Sequence, residues 1–257
     1  MLDHRFWFYW VVFCGLILVR YVLIAGGTHY FFYSALGQAF SKRAWRLQSP
    51  SWRSMRHDID LSARSAIVFA LCAALIMTAY DAGKTLLYTD LHQYGWWYLG
   101  VSYGAVLILQ DTYFYFTHCL CHRPLLFKWL HQGHHRSRQP TAWTSFAFDP
   151  PEAVVQAVFL GAIVFIVPLH FITLIAILIT MTVWAVVNHL GLDVFPVSFP
   201  HHWLGRWFIG PAHHSVHHRR YTLHYGLYFT FWDKLLGTHD PGYEKNLNAS
   251  LKPEHIP

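Results

Sequence analysis

The feature that most limits what this chain can fold into is a long stretch without charge. Ala153 to Val187 contains no Asp, Glu, Lys or Arg, and Pro168 interrupts it near the middle. A membrane-spanning helix needs about 20 apolar residues, so this stretch is longer than a single crossing requires. We therefore predict two short helices that form a hairpin in the membrane.

Three further apolar runs predict membrane crossings. Phe6 to Ile24 is broken only by Arg20, Ala66 to Tyr80 has no charge, and Trp96 to Thr117 carries only Asp111. Over the whole sequence 54% of the residues are hydrophobic and only 12% are charged. The sequence thus predicts an all-α fold, an integral membrane helical bundle rather than a soluble domain.

Basic residues between the first two crossings predict how the chain is oriented. The loop from Asp81 to Gly95 has one basic residue, Lys84, whereas the preceding loop has six. The basic loop should be cytoplasmic, and counting the crossings onward returns both histidine-rich regions to that side. The net charge of +6 is explained by basic loops facing anionic lipid, without a nucleic-acid partner. The six basic residues are Lys42, Arg43, Arg46, Arg53, Arg56 and Arg64.

Histidine is concentrated on either side of the uncharged stretch. His118 and His122 are four residues apart, so a helix presents both imidazoles on one face. H-x-x-H-H motifs follow at residues 131–135 and 214–218, and each gathers three rings on one side of a helix. Eight imidazoles exceed the coordination sphere of one ion, so we predict two adjacent metals. These candidate ligands are His118, His122, His131, His134, His135, His214, His217 and His218.

The type of ligand does not select the metal, because imidazole suits zinc, copper, nickel and iron alike. The location favours iron: a paired site at the mouth of a membrane bundle meets hydrophobic chains, and attack on an unactivated C–H bond needs a redox-active metal and dioxygen. We expect two iron ions with dioxygen as co-substrate, and zinc can replace iron in protein as purified. Two alternatives stay open: a di-zinc lipid hydrolase, and a non-enzymatic membrane protein that binds metal or haem.

The order H-x-x-x-H, H-x-x-H-H and H-x-x-H-H in a chain with several crossings resembles the fatty acid hydroxylase and sterol desaturase superfamily of membrane di-iron oxidases. The similarity runs from about Asp111 to Thr238. Within it, Asn188 and His189 resemble an element that contributes a further ligand in the family. The other matching elements are Pro150 with Glu152, Tyr225 with Gly226, Trp232 with Asp233, and Gly237 with Thr238.

The resemblance implies a membrane oxidoreductase that uses dioxygen to hydroxylate or desaturate a lipid, either sterol-like or fatty acyl. No haem-attachment, flavin or nicotinamide motif is present in the sequence, so electrons must come from an external cytochrome- or ferredoxin-type donor. The resemblance adds His189 to the eight ligands, and the distribution of basic residues places the di-metal cap on the cytoplasmic side. It divides the chain into N-terminal spans with a basic cytoplasmic loop (1–95), a catalytic region (96–240) and a C-terminal tail (241–257).

Residues near the motifs give further expectations. Asp111 lies seven residues before His118 and shares its helical face, so we predict that its carboxylate accepts a hydrogen bond from a ligand imidazole. Cys119, Asp149 and His224 stand where the family commonly has arginine, histidine and asparagine, which concerns the surroundings of the ligands and not the ligands themselves.

The remaining histidines and cysteines are given ordinary roles. The H-x-x-H-H register selects His214 over its neighbour His213, and His239 is interpreted as an ordinary scattered histidine. Cys119 and Cys121 should point away from the ligand face of their helix. In a reducing compartment we expect no disulfide.

Overall fold

The structure, a computed structural model, describes residues 4–33, 51–190 and 202–243. These residues are mostly helical, with one short pair of strands among them. Three helices are long and apolar enough to cross a membrane, which confirms the predicted all-α membrane bundle. They are His4–Phe32, Trp52–Asp81 and Phe171–His189.

The N-terminal helix runs without a break through a π-helical turn. It consists of α1 (His4–Tyr21), the π segment Val22–Gly26 and α2 (Gly27–Tyr33). Many of its large apolar side chains point outward, as lipid contact requires; Val11, for example, is 66% exposed. The π turn meets the rest of the protein closely, since a Cβ added to Gly26 would lie 2.9 Å from the Trp143 ring.

The second helix, α3 (Trp52–Asp81), begins well before the apolar run that predicted it. Ser51 is its N-cap, and the Ser51 side chain accepts a hydrogen bond from the Ser54 N–H. The predicted extent of the basic loop is therefore wrong, because hydropathy marks the buried part of a helix and not its capped end. Arg53, Arg56 and Arg64 lie within α3, whereas Lys42, Arg43 and Arg46 lie outside the described residues.

Small residues line the packed face of α3. Ala66, Ala70 and Ala74 recur every fourth residue and are at most 2% exposed. Helices in lipid associate through close van der Waals contact and not through the hydrophobic effect, so small side chains favour packing there. The adjacent Leu71 and Leu75 point outward instead.

The third helix, α4 (Trp96–Cys121), contains the predicted third crossing. At 1.5 Å per residue its 26 residues span about 39 Å, enough for a bilayer. It is not one of the three described helices that are apolar enough to count as membrane spans, because Gln110, Asp111 and several tyrosines lower its mean hydropathy. Its crossing therefore stays a prediction. Two short helices follow, α5 (Pro124–Leu130) and α6 (Gln132–His135).

The uncharged stretch forms two helices, as predicted. α7 (Pro150–Ile163) and α8 (Phe171–His189) are separated by a short connection that contains Pro168. Of the two, only α8 has the length of a crossing. The connection includes strand β2 (Leu169–His170), which pairs in parallel with β1 (Leu87–Tyr88). The apolar core at this end contains Val106, Ile163, Leu169 and Ile177.

The remaining described segments form a polar layer at one end of the bundle, which we call the cap (residues 122–149 and 202–243). It contains α9 (Pro211–Arg220) and α10 (Phe231–Leu235). A buried carboxylate ties the cap to α3: Asp58 accepts hydrogen bonds from the Ser137 hydroxyl at 2.6 Å and the Thr144 hydroxyl at 2.7 Å. Since all three side chains are at most 2% exposed, this network fixes the loop that follows α6.

Candidate metal centre

The nine histidines singled out in the sequence meet in two adjacent groups. Within each group the candidate ligand nitrogens lie within 4.8 Å of one another. Two rings from different groups, His135 and His218, have centroids 4.6 Å apart. The five-histidine group comprises His118, His122, His131, His135 and His217. The four-histidine group comprises His134, His189, His214 and His218.

Three helices supply the five-histidine group. His118 lies in the last turn of α4, and His122 is the C-cap of the same helix. Their spacing of four residues places the ring centroids 5.0 Å apart, as the sequence predicted. His131 and His135 lie at the two ends of α6, and His217 lies on α9.

Each H-x-x-H-H motif serves both groups. Adjacent residues on a helix point about 100° apart, so neighbouring histidines diverge. His134 therefore joins the four-histidine group while His135 joins the other, and His218 and His217 divide in the same way. The last residue of α8, His189, completes the four-histidine group. The repeated motif is thus suited to two neighbouring ions and not to one.

Burial keeps the imidazoles of the cap neutral. His217 and His218 are 0% exposed, and His134 is 3% exposed. Loss of solvation lowers the pKa of His134 to about 4. The same cause holds the pKa values of His214, His217 and His218 well below the ordinary value. Neutral imidazoles are the form that binds metals.

Backbone carbonyls on the outer side of the rings decide which nitrogen carries the proton. A carbonyl oxygen can only accept a hydrogen bond, so an Nδ1 atom that contacts one must carry the N–H. Four of the nine rings are oriented in this way, which leaves the lone pair on Nε2. The Nδ1–carbonyl distances are 2.9 Å for His118 and Tyr225, 3.1 Å for His134 and Ala147, 2.7 Å for His189 and Ala185, and 2.7 Å for His217 and Leu223.

The Nε2 atoms then face one another inside the groups. His189 Nε2 lies 3.4 Å from His134 Nε2, and both rings carry their proton on Nδ1. His118 Nε2 lies 3.0 Å from His131 Nε2. The two lone pairs of His134 and His189 repel at 3.4 Å unless a cation lies between them. The donor set, its burial and its tautomers therefore fit bound metal ions.

Glu152 is a functional candidate whose role sequence analysis did not assign. Its Oε1 atom lies 2.8 Å from His131 Nδ1, and the two side chains are 1% and 2% exposed. A carboxylate at this position orients the ring and increases the basicity of the opposite nitrogen. The available signal was a single acidic residue in the first turn of the otherwise apolar α7, in the P-x-E sequence.

The predicted bond from Asp111 to a ligand imidazole is wrong. The Asp111 Oδ1 atom instead accepts from the backbone N–H groups of residues 227–229, at 3.2, 2.7 and 3.1 Å. Seven residues place Asp111 about 10 Å along the helix from His118, and the 225–229 segment occupies that level. Asp233 accepts from the N–H groups of residues 225–226. The two carboxylates thus position the segment whose Tyr225 carbonyl accepts a hydrogen bond from the His118 Nδ1–H group.

Cysteines and the remaining histidines mostly follow the predictions. All four cysteines are free, and among the described residues none joins a histidine group. His213 lies outside both groups, as the H-x-x-H-H register indicated. It instead meets His224 and His239 in a third cluster, so His239 is not isolated from other histidines.

An open cavity of about 610 Å³ adjoins the five-histidine group. His135 and Tyr221 form part of its wall. Three basic side chains also line it: Lys128, Arg136 and Arg138. The cavity therefore connects solvent on the polar side of the cap with one of the candidate ligands.

The structure combines histidine groups able to bind metal with an apolar helical bundle. This combination is typical of membrane lipid oxidoreductases. The family model of fatty acid hydroxylases matches residues 103–238. This chain belongs to that family.

Several curated relatives are similar to this chain over most of its length. A Delta(7)-sterol 5(6)-desaturase of Gibberella zeae is 34% identical over 85% of this chain and 64% of its own length. One from Aspergillus fumigatus is 31% identical over 82% of this chain and 71% of its own length. Human lathosterol oxidase is 28% identical over 81% of this chain and 70% of its own length. No solved structure gives a significant match. These relatives support a membrane oxidoreductase of the lipid desaturase and hydroxylase type.

Proposed function

We propose that the chain is a di-iron oxidoreductase that uses dioxygen and external electrons to desaturate or hydroxylate a lipid. The five-histidine group would hold one iron and the four-histidine group the other. The observation that carries this proposal is the set of inward-facing Nε2 atoms, 2.9–3.4 Å apart, on buried rings. When bound, a redox-active iron pair supplies the dioxygen chemistry that an unactivated C–H bond requires.

The protein's own part is to hold and orient the ligands and to exclude water. The carbonyls of Tyr225 and Leu223 keep the proton of their histidines on Nδ1, and the Glu152 carboxyl group lies 2.8 Å from His131 Nδ1. Rings held in this way need no reorganisation to bind an ion. The nearly complete burial of His217 and His218 keeps water from the space between the groups.

A sterol-like substrate is favoured over a fatty acyl chain. The support is the names of the relatives, Delta(7)-sterol 5(6)-desaturase and lathosterol oxidase. The apolar surface of the bundle is compatible with either lipid, because both approach from the membrane.

The electron donor would dock beside the cavity. Lys128, Arg136 and Arg138 give this surface a positive charge next to His135. A cytochrome- or ferredoxin-type donor with an acidic face is complementary to it. Turnover should then decrease as the salt concentration rises, because screening weakens the encounter.

The cap would lie on the cytoplasmic side, where such donors are found. The support is the positive charge at the N-terminal end of α3, which carries Arg53 and Arg56. Cysteine labels near Arg53 and His131 should be shielded from an external impermeant thiol reagent, and a label near Asp90 should react. External labelling near His131 would place the cap outside.

Turnover with labelled dioxygen tests the function itself. Purified protein, loaded with iron and supplied with a reductase and donor, is offered a Delta(7)-sterol or a fatty acyl lipid in separate reactions. We expect either labelled hydroxyl in the product or labelled water with a new double bond. Equal product under strict anaerobiosis would exclude the oxidase and favour a di-zinc hydrolase.

A further inference from the structure

We propose that His213, His224 and His239 form a third metal site that takes one divalent ion of the zinc type. None of these residues belongs to the nine histidines of the two groups. The site is therefore separate from the proposed oxidase chemistry, and it would serve a structural purpose in the cap.

Three separate segments bring these rings together. His213 lies in the first turn of α9, His224 lies in the turn that follows this helix, and His239 lies after α10. Their candidate ligand nitrogens lie within 4.8 Å of one another. Ring centroids are 4.9 Å apart for His213 and His224, and also 4.9 Å for His224 and His239. Tyr243 stacks on His213 at 3.9 Å and covers the cluster.

The side chain of His224 is buried with one nitrogen unsatisfied. Its φ angle is +57°, in the left-handed region where asparagine, aspartate and histidine are all enriched among non-glycine residues. The ring is 1% exposed, and its Nδ1 atom is buried without a hydrogen-bond partner. A buried, unpartnered nitrogen beside two other imidazoles is a candidate metal ligand.

The donor set indicates which kind of ion fits. Nearby Asp240 is already engaged, because its Oδ2 pairs with Arg220 at 3.2 Å and its Oδ1 accepts from the Gly242 N–H at 2.9 Å. The cluster thus offers three imidazoles as candidate donors. Three histidine ligands with one open position for water are a common zinc arrangement.

A bound ion would tie α9 to the end of the described chain. His213 precedes His214 in the sequence but points to a different cluster, so the two sites share one helix. That helix also carries His217 and His218. Linking its first turn to His224 and His239 would hold three candidate iron ligands in place from the outside.

Two backbone hydrogen bonds define the competing arrangement, a histidine triad without an ion. The Gly210 N–H donates to His213 Nδ1 at 3.2 Å, and the Asp240 N–H donates to His224 Nε2 at 3.4 Å. A ligand imidazole keeps its proton on the nitrogen opposite the metal, so binding through the opposite nitrogens would break both bonds. Metal content distinguishes the two arrangements directly.

The experiment loads the full-length protein with iron anaerobically and then titrates it with zinc alone. Iron and zinc per chain are measured together for the wild type, His224→Asn and His239→Ala. His224→Asn is the informative variant because asparagine tolerates the left-handed backbone. His92→Ala, which changes an exposed histidine in the loop before α4, is the matched control.

We expect the wild type and the His92→Ala control to bind one zinc more than either cluster variant, with iron unchanged in all four. Zinc should also raise the thermal midpoint of the wild type but not that of His224→Asn. Zinc X-ray absorption of the wild type should show imidazole nitrogens and no sulfur, a result that does not depend on the variants folding. Equal zinc in wild type and variants, or zinc that enters only by displacing iron, would overturn the third site.

Discussion

The membrane helices and the cap bury opposite kinds of residue. In the helices the packed face of α3 consists of alanines such as Ala70, while Val11 and Ile108 are 66% and 60% exposed. In the cap His217, His218 and Asp233 are all 0% exposed. The comparison teaches that hydrophobicity alone does not mark the interior of this protein: many large apolar groups of the bundle face outward, whereas the interior of the cap holds buried polar groups.

The energetic cost of a substitution should therefore differ between the cap and the membrane helices. Removing a polar group from the cap leaves its buried partner unsatisfied, which costs about 1–3 kcal/mol and more for a charge. Replacing a lipid-facing apolar residue by another exchanges one lipid contact for a similar one. Substitutions among the buried polar residues of the cap should therefore change metal content and activity, and substitutions among the apolar residues of the bundle should change only stability.

The largest effect should follow removal of one ligand from each group. His134→Ala and His217→Ala should abolish turnover and lower the metal bound per chain, because each leaves one group short of a donor. His92→Ala should behave as wild type. Turnover and metal analysis of the detergent-purified proteins measure the outcome, and full activity in either ligand variant would refute the assignment of that group.

Acidification should weaken the cap before it affects the bundle. Burial lowers the pKa of His134 from 6.5 to about 4, so between these values the unfolded chain binds more protons than the folded one. Stability is therefore fully present above pH 6.5 and decreases as the pH falls toward 4. Protons also compete with metal for the same nitrogens. Thermal midpoints and retained metal measured through this window check the sign, and a midpoint independent of pH would contradict it.

A smaller effect is expected from Glu152→Gln. The amide keeps the shape of the side chain but removes the carboxyl group beside His131, and changes of this kind cost about 10–100-fold in metal affinity or activity. Iron affinity and the spectrum of the loaded protein provide the measurement. Gln156→Ala, one turn further along α7, is the control. If both variants bind iron equally, Glu152 does not position the ring.

The smallest effect should come from the bundle. Ala70→Leu forces a larger side chain into a fully buried helix contact, which costs about 1–3 kcal/mol. Leu71→Ala, at the exposed neighbouring position, should change stability by about 0.5 kcal/mol or less. Thermal unfolding in detergent compares the two. Metal per folded chain should be unchanged in both, and a loss of metal in Ala70→Leu would show that bundle and cap are coupled.

Periodic patterns accounted for much of the fold and of the candidate site. The spacing of four between His118 and His122 needed only a helix to bring the rings together, and so did the two H-x-x-H-H motifs. The break at Pro168 followed from its missing N–H in an otherwise uncharged stretch. The start of α3 was placed too late, because Ser51 caps it outside the apolar run.

The sequence by itself determined the features that depend on local geometry. These are helices long enough to cross a membrane and histidines that share a helical face. Tertiary structure decided how those faces meet. It divided each H-x-x-H-H motif between two groups, brought Glu152 to His131, and turned Asp111 toward the 227–229 backbone instead of a ring. It also joined His213, His224 and His239 across 27 sequence positions. Such contacts depend on the packing of segments distant in the chain, which no spacing within one helix records.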